Sequence, residues 1–351
     1  MPLHRLPEDR GRGARRGGGR RAASGAPPRP ACRGARRAGG GRPQRAPRRR
    51  ARRPRARAEG RAVRSALSTL AVIRPRTLDE ALAALAAPER PTPLAGATDL
   101  FVGLNAGTLA ARRFLDLSPL AALRRIRPGR DGVTLGALVT FAAIREHAVL
   151  ARRLPALAAA AAEIGAWGIQ HRATLGGNIA NASPAGDSLP VLLAHDAVVR
   201  ARSAAGAREV PCAALFIGYR QLALRPDELI ESVFVPWPAA GARAFFRKVG
   251  TRRAQSISKV VFCGVARLDR AGRVAHARLA YGSMAPVPLR AAAAERALAG
   301  RLPEEAAADA AAALDADLAP IDDVRSDAAY RAAVARNVLG QFLRALAARR
   351  R

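Results

Sequence analysis

The chain has 351 residues, 49% hydrophobic and 25% charged, enough apolar material for two compact domains and too much for a fibre or a wholly disordered chain. Its formal charge of +33 is uneven: residues 1–66 hold 22 arginines against Glu8, Asp9 and Glu59, giving +19, and the remaining residues carry +14. Cys32, Cys212 and Cys263, with no CxxC spacing, cannot build a disulfide framework, a structural zinc site or a four-thiolate iron–sulfur cluster, and they fit a reducing, cytoplasmic setting.

In chain order, the first segment is an arginine-rich arm over residues 1–66. Its only large apolar residues are Met1, Leu3, Leu6 and Val63, too few to offset the entropy of ordering it, so disorder is expected. Clusters such as Arg48, Arg49, Arg50, Arg52 and Arg53 suit a phosphate backbone, which gives a nucleic-acid-binding reading. Against it, the arm has no aromatic residue for base stacking. Arginine outnumbers lysine 58 to 2 across the whole chain, so codon bias or an over-extended gene start explains the arm more simply. No secretory signal and no apolar run long enough to span a membrane is recognisable.

From Leu67 onward the apolar residues become periodic. Thr77 to Glu80 reads as a capping box opening a helix whose Leu78, Leu82 and Leu85 share a face and which Pro88 stops. Pro93 to Ala95 reads as extended, Gly132–Gly136 and Ala197–Arg202 as strands, and Leu154–Ile164 as a helix. Phe245–Val249, Val260–Leu268 and Val274–Tyr281 read as three strands, the last two joined by a turn at Asp269–Gly272. Helices are predicted at Leu289–Ala299, Glu304–Leu314 and Asp327–Ala347. The whole is an α+β pattern in two blocks, divided near Pro236-Trp237-Pro238. The expected segments are 1–66, 67–239 and 240–351.

Two glycine loops carry the candidate chemistry. Pro93, Leu94, Ala95, Gly96, Ala97, Thr98, Asp99 and Leu100 form the first, and the second runs from Thr174 through Leu175, Gly176, Gly177, Asn178 and Ser183 to Asp187. Glycine lets the backbone approach a ligand closely, so successive amides can converge on an anion such as a pyrophosphate. Thr98, Thr174, Asn178 and Ser183 can add hydrogen bonds. Thr174–Gly186 carries no charge, which makes a poor solvated loop and implies that it packs against something. No GxGxxG after a strand, GxxxxGK[ST], HExxH or GxSxG is present. His171 and His195 flank the second loop, but neither has a partner at ligand spacing, so polar roles are expected for both.

Ala173–Ser188 closely resembles the second flavin-binding motif of the FAD subunits of molybdenum hydroxylases, and Gly96–Leu100 resembles the first. Gly218-Tyr-Arg220, Leu224–Ile230 and Phe246–Lys259 look like the xanthine dehydrogenase branch. Gly282–Ala285, Pro320–Ser326 and Tyr330-Arg331 are similar to the family's C-terminal domain. The likeness runs in the family's order from about Leu70 onward. It implies a PCMH-type FAD-binding domain of two α+β subdomains, then a smaller domain with a three-stranded antiparallel sheet and helices.

The resemblance further implies that Pro93–Leu100 wraps the pyrophosphate of FAD, Thr174–Asn178 supplies a second set of amide contacts, and Asp187 binds the polar part of the cofactor. Ile230 and Ile164 would form an apolar wall, and Lys248 would lie near the isoalloxazine. Lys248 also stands out without the resemblance, because the only two lysines, Lys248 and Lys259, fall within one short window. No catalytic acid or base and no metal ligand is expected on this chain. Electrons would pass from [2Fe-2S] clusters and a molybdenum cofactor on partner subunits, through FAD, to NAD. A related carbon monoxide dehydrogenase or aromatic acyl-CoA reductase with another acceptor is the runner-up, and a scaffold that has lost FAD is a further alternative. Two departures matter: Ala97 stands where many members have glycine, and residues 1–66 hold Cys32 alone, so either the [2Fe-2S] module is a separate polypeptide or the gene model has lost it.

Overall fold

The computed structural model describes residues 70–348, so the basic arm expected to be disordered at 1–66, with Cys32, lies outside the described residues. In chain order these residues form β1 (Ala71–Ile73), α1 (Leu78–Ala86), β2 (Thr92–Leu94), α2 (Leu100–Asn105), β3 (Arg113–Asp116), β4 (Ile126–Pro128) and β5 (Gly132–Gly136). Then come α3 (Phe141–Glu146), α4 (Ala148–Arg153), α5 (Pro155–Glu163), α6 (Trp167–Gln170), α7 (Leu175–Asn181) and α8 (Leu189–Ala194). β6 (Val198–Ser203), β7 (Gly206–Pro211), α9 (Cys212–Leu215), β8 (Phe216–Gly218), β9 (Gln221–Leu222) and β10 (Leu229–Pro236) complete the first block. The second holds β11 (Arg243–Val249), β12 (Val260–Leu268), β13 (Val274–Gly282), β14 (Leu289–Arg290), α10 (Ala292–Leu298), α11 (Ala307–Asp317) and α12 (Ala328–Ala347).

The capping box forms as expected, with one displacement. Thr77 Oγ1 accepts from Glu80 N at 3.1 Å, while the Glu80 carboxylate accepts from Arg76 N at 2.7 Å, one residue before the Thr77 cap. Leu82 and Leu85 then share a buried cluster with Leu115 of β3 and Leu117 just after it, beside a small parallel sheet of order β1-β3-β2.

A five-stranded antiparallel sheet follows, ordered β4-β5-β10-β6-β7. Its central strand β10 slips register between Ile230 and Ser232. On its other side the strand stays in register: Glu231 O accepts from Ala137 N at 3.0 Å, carrying the β5–β10 pairing one residue past Gly136.

The C-terminal sheet is antiparallel, ordered β11-β12-β13-β14. β12 is buried on both faces, as its nearly unbroken apolar run requires. Phe262 points into a cluster with Phe245, Tyr281 and Phe342, whereas Cys263 and Val265 join the central core, where α8 packs on β12 and β13. β11 alternates in the same way: Phe245 and Val249 face α12, and Ala244 and Phe246 face the central core. The central core is thus shared across the expected block boundary.

Two helix predictions shift. Leu289 and Arg290 pair with Tyr281 and Ala280 instead of opening a helix, because β13 leaves an open edge there, and α10 starts at Ala292. α11 is displaced toward the C-terminus and ends at Asp317, whose carboxylate accepts from the amides of Ala293 and Ala294 at the start of α10. No helix among the described residues is long and apolar enough to cross a membrane.

Candidate functional site

The two glycine loops meet. A Cβ built on Gly96 would stand 1.8 Å from the carbonyl oxygen of Arg172, two residues before Thr174, so only glycine permits this approach. Ala97, buried, takes φ = +62°, and Asp99 returns to the right-handed helical region. The amides of Gly96, Ala97, Thr98 and Asp99 donate to no acceptor among the described residues, leaving four consecutive N–H groups unspent around a left-handed residue. Such a bend is a general anion-binding shape.

The second loop differs from the sequence expectation. Of the five amides at Thr174–Asn178, four are already used: Leu175 N to Val139 O and Gly176 N to Ala137 O, both at 2.9 Å, Gly177 N to Thr174 Oγ1 at 3.1 Å, and Asn178 N to Thr174 O at 2.9 Å. A second set of free amides at Thr174–Asn178 is therefore absent, because the segment folds as a capped helix turn pinned to the residues after β5. What it offers instead is side chain. Ser188, fully buried, donates to Asn178 Oδ1 at 2.7 Å, which fixes that amide and leaves its Nδ2 available. Ser183 and Pro184 lie under the C-terminal layer, where Ser283 N donates to Pro184 O at 2.8 Å.

Asp187 and Lys248 come together. Lys248 Nζ lies 2.6 Å from Asp187 Oδ2 and 2.9 Å from Glu163 O, with the two side chains 4% and 8% exposed. The Ser258 hydroxyl donates to Asp187 Oδ1. Burial pushes the Asp187 carboxyl above the usual range, and Lys248 opposes the shift. Glu163 is likewise raised, first by burial. Ile164 follows Glu163 at the end of α5 and belongs, with Ile230, to the central core. The loop after β11 closes over this corner: Gln255 N donates to Gly165 O at 3.2 Å.

The sequence match decides what this geometry is. Residues 66–238 match the model for the FAD binding domain in molybdopterin dehydrogenase, and residues 245–346 match the carbon monoxide dehydrogenase flavoprotein C-terminal domain. Over 225 residues the chain is 35% identical to the xanthine dehydrogenase FAD-binding subunit of Escherichia coli O157:H7, covering 64% of this chain and 77% of that one. The chain belongs to the FAD subunits of the molybdenum hydroxylases.

The range of this family is wide. The nicotinate dehydrogenase FAD-subunit of Eubacterium barkeri is 31% identical over 231 residues, covering 64% of this chain and 78% of its own. The solved carbon monoxide dehydrogenase of Hydrogenophaga pseudoflava superposes with a TM-score of 0.76 at 30% identity, over 80% of this chain and 98% of that chain. As a molybdenum hydroxylase FAD subunit, the chain is part of an oxidoreductase.

The described residues fit a flavin dinucleotide. A diphosphate needs several hydrogen-bond donors, and the amides of Gly96–Asp99, unspent among the described residues, are available to one. Ala97, the departure from the family's usual glycine, adopts the left-handed conformation that glycine takes most easily, at a strain of about 1 kcal/mol. The two histidines are not part of this set. His171 is exposed and meets Trp167 edge-on at 4.8 Å, and His195 is buried at the end of α8 with Nε2 unpartnered. Ser258 and the carbonyl of Glu163 were missed in the sequence: both belong to segments singled out there, but neither residue type nor spacing announces a partner on another element.

Proposed function

We propose that this chain binds FAD across the Gly96 and Thr174 loops and relays electrons between [2Fe-2S] and molybdenum centres on partner subunits and a soluble acceptor. The observation carrying this reading is the row of four unspent amides at Gly96–Asp99, held against Arg172 and the segment leading into Thr174. FAD, when bound, accepts electrons singly and releases them as a pair. The chain's own work is to grip and tune. Gly96 to Asp99 hold the diphosphate, Thr98, Thr174, Asn178 and Ser183 add polar contacts around it, and Pro93 to Ala95 and Leu100 frame the bend. Leu175, Ile164 and Ile230 exclude water, and Lys248, held by Asp187 at 2.6 Å, presents a cation to the ring. Gly176 and Gly177 let the helix turn lie close against Ala137 and Thr174.

Residues 67–239 and 240–351 are read as the FAD-binding and C-terminal domains of a cytoplasmic hetero-oligomer. NAD is the proposed acceptor, supported by the likeness of Gly218-Tyr-Arg220 and Thr251-Arg-Arg253 to the xanthine dehydrogenase branch. A carbon monoxide dehydrogenase-type enzyme with another acceptor is the second reading, favoured by the 0.76 TM-score to that structure.

Titrating the purified full chain with FAD, alone and with candidate molybdenum and iron–sulfur subunits, tests the core of the proposal. Tight binding with a visible flavin band supports it, and no binding in either setting overturns it. Anaerobic bleaching of that band by NADH, or its absence, then separates the two acceptors.

A further inference from the structure

The buried Asp187 carboxylate has two oxygens, and Lys248 takes only one. The other accepts from the hydroxyl of Ser258, itself 1% exposed. Ser258 is fixed in turn by its neighbours. Its carbonyl accepts from Ser283 Oγ at 2.8 Å, and the carbonyl of the next residue, Lys259, accepts from Arg331 Nη1 at 2.8 Å. Arg331, 3% exposed on α12, also donates to Ser283 O at 3.2 Å and to Asp323 Oδ1 at 2.8 Å. A continuous set of bonds therefore runs from α12 through Ser258 and Asp187 to Lys248, and ends on Glu163 O beside Ile164.

We propose that Ser258 is a positioning residue of the flavin site: by holding the second oxygen of Asp187 it fixes where the Lys248 ammonium stands, and through that ammonium it sets the reduction potential of the flavin. This inference rests on reading Lys248 as the cation offered to the flavin ring. A buried carboxylate with a single donor can rotate and meet Lys248 through either oxygen, whereas a donor on each oxygen fixes its plane. The hydroxyl also favours the ionised form of Asp187, countering the burial that raises it. Without the hydroxyl, Asp187 takes up a proton more readily and Lys248 loses countercharge. A less compensated cation stabilises the more negative, reduced flavin, so the potential moves upward.

The test uses the full chain loaded with FAD and measures both the FAD dissociation constant and the two-electron potential against reference dyes. Ser258→Ala is expected to raise the ratio of affinity for reduced over oxidised flavin about tenfold, ~30 mV in potential. Ser258→Thr, which keeps the hydroxyl, should restore the wild-type value. Ser258→Cys, of similar size and with a weaker donor, should shift it in the same direction by less. In a Lys248→Met background, Ser258→Ala should add nothing. An unchanged potential in both the Ala and Cys variants overturns the proposal, as does a shift that persists without Lys248, or a Ser258→Ala chain that folds but loses FAD altogether. If instead Lys248→Met alone leaves affinity and potential untouched, it is the placement of Lys248 at the flavin that fails, and the Ser258 inference fails with it.

Discussion

Lys248 and Asp187, 61 residues apart in the chain, form an almost fully buried ion pair at 2.6 Å that joins β11 to the loop before α8. Such a pair adds little net stability over a well-packed apolar substitute, but removing one partner strands a charge and costs about 3–5 kcal/mol. Its retention is better explained by a need for a cation at this corner than by stability.

The pair should betray itself through pH. Neutralising a lone aspartate near pH 7 from its ordinary pKa costs about 4 kcal/mol, and neutralising a lone lysine about 5. Near pH 5 these become about 1.5 and about 7 kcal/mol. Because a stranded charge costs at most about 3–5 kcal/mol, Lys248→Met and Asp187→Asn are expected to destabilise comparably at neutral pH, with Lys248→Met the milder by about 2 kcal/mol in acid. Urea unfolding of both variants at the two pH values checks this, and equal costs throughout would show that no buried charge is stranded.

Much of the fold could be read from local signals, because those signals act locally. β5 matches its predicted bounds since Gly132 and Gly136 bracket Val133 and Leu135, alternate apolar residues about Thr134, and Thr77 caps α1 because its hydroxyl needs only an amide three residues away. Lys248 was legible through the scarcity of lysine, and Asp187 as the first charge after a long neutral run. Their pairing was not, since it depends on how the loop before α8 lies against β11, 61 residues further along the chain. The spent amides of Leu175 and Gly176 were hidden for the same reason: their acceptors, Val139 and Ala137, sit on a distant turn. β14 escaped because two residues carry no periodicity and pair only where β13 leaves an edge.

Gly96→Ala is expected to separate the loops. Its Cβ would meet the Arg172 carbonyl at 1.8 Å, so backbone must move, at a cost of about 1–3 kcal/mol and at least a tenfold loss in FAD affinity. Gly168→Ala serves as the control, because nothing lies within 4 Å of its new Cβ and a helical alanine gains up to about 1 kcal/mol. Thermal unfolding and FAD titration of the two variants should move in opposite directions for stability, with affinity lost only in the first.

His195 should make the fold acid-sensitive. Burial lowers its pKa to about 4, and Nε2 has no partner to compensate. Between an unfolded value of about 6.5 and the folded value, the unfolded chain binds a proton that the folded chain refuses, so stability falls as the pH drops through that window, by up to about 3 kcal/mol. His195→Leu is expected to be near neutral at pH 7 and more stable than wild type near pH 5. Denaturant midpoints across this range measure it, and parallel pH profiles for the two proteins would contradict it.

Arg331 is expected to matter to the flavin from a distance. Its guanidinium serves Lys259 O, Ser283 O and Asp323 at once, a fork that lysine cannot reproduce. Arg331→Met strands the carbonyls of Lys259 and Ser283, while Asp323 keeps the amides of Arg325 and Ser326, and should cost about 3 kcal/mol, with Arg331→Lys intermediate. Because Lys259 and Ser283 also hold Ser258 in place, the loosened Ser258 hydroxyl should leave Asp187 less well bonded. The flavin potential of a folded Arg331→Lys chain should then move upward, in the direction expected for Ser258→Ala and by a smaller amount. A potential that stays at the wild-type value while the unfolding midpoint falls would confine Arg331 to holding α12 against the sheet.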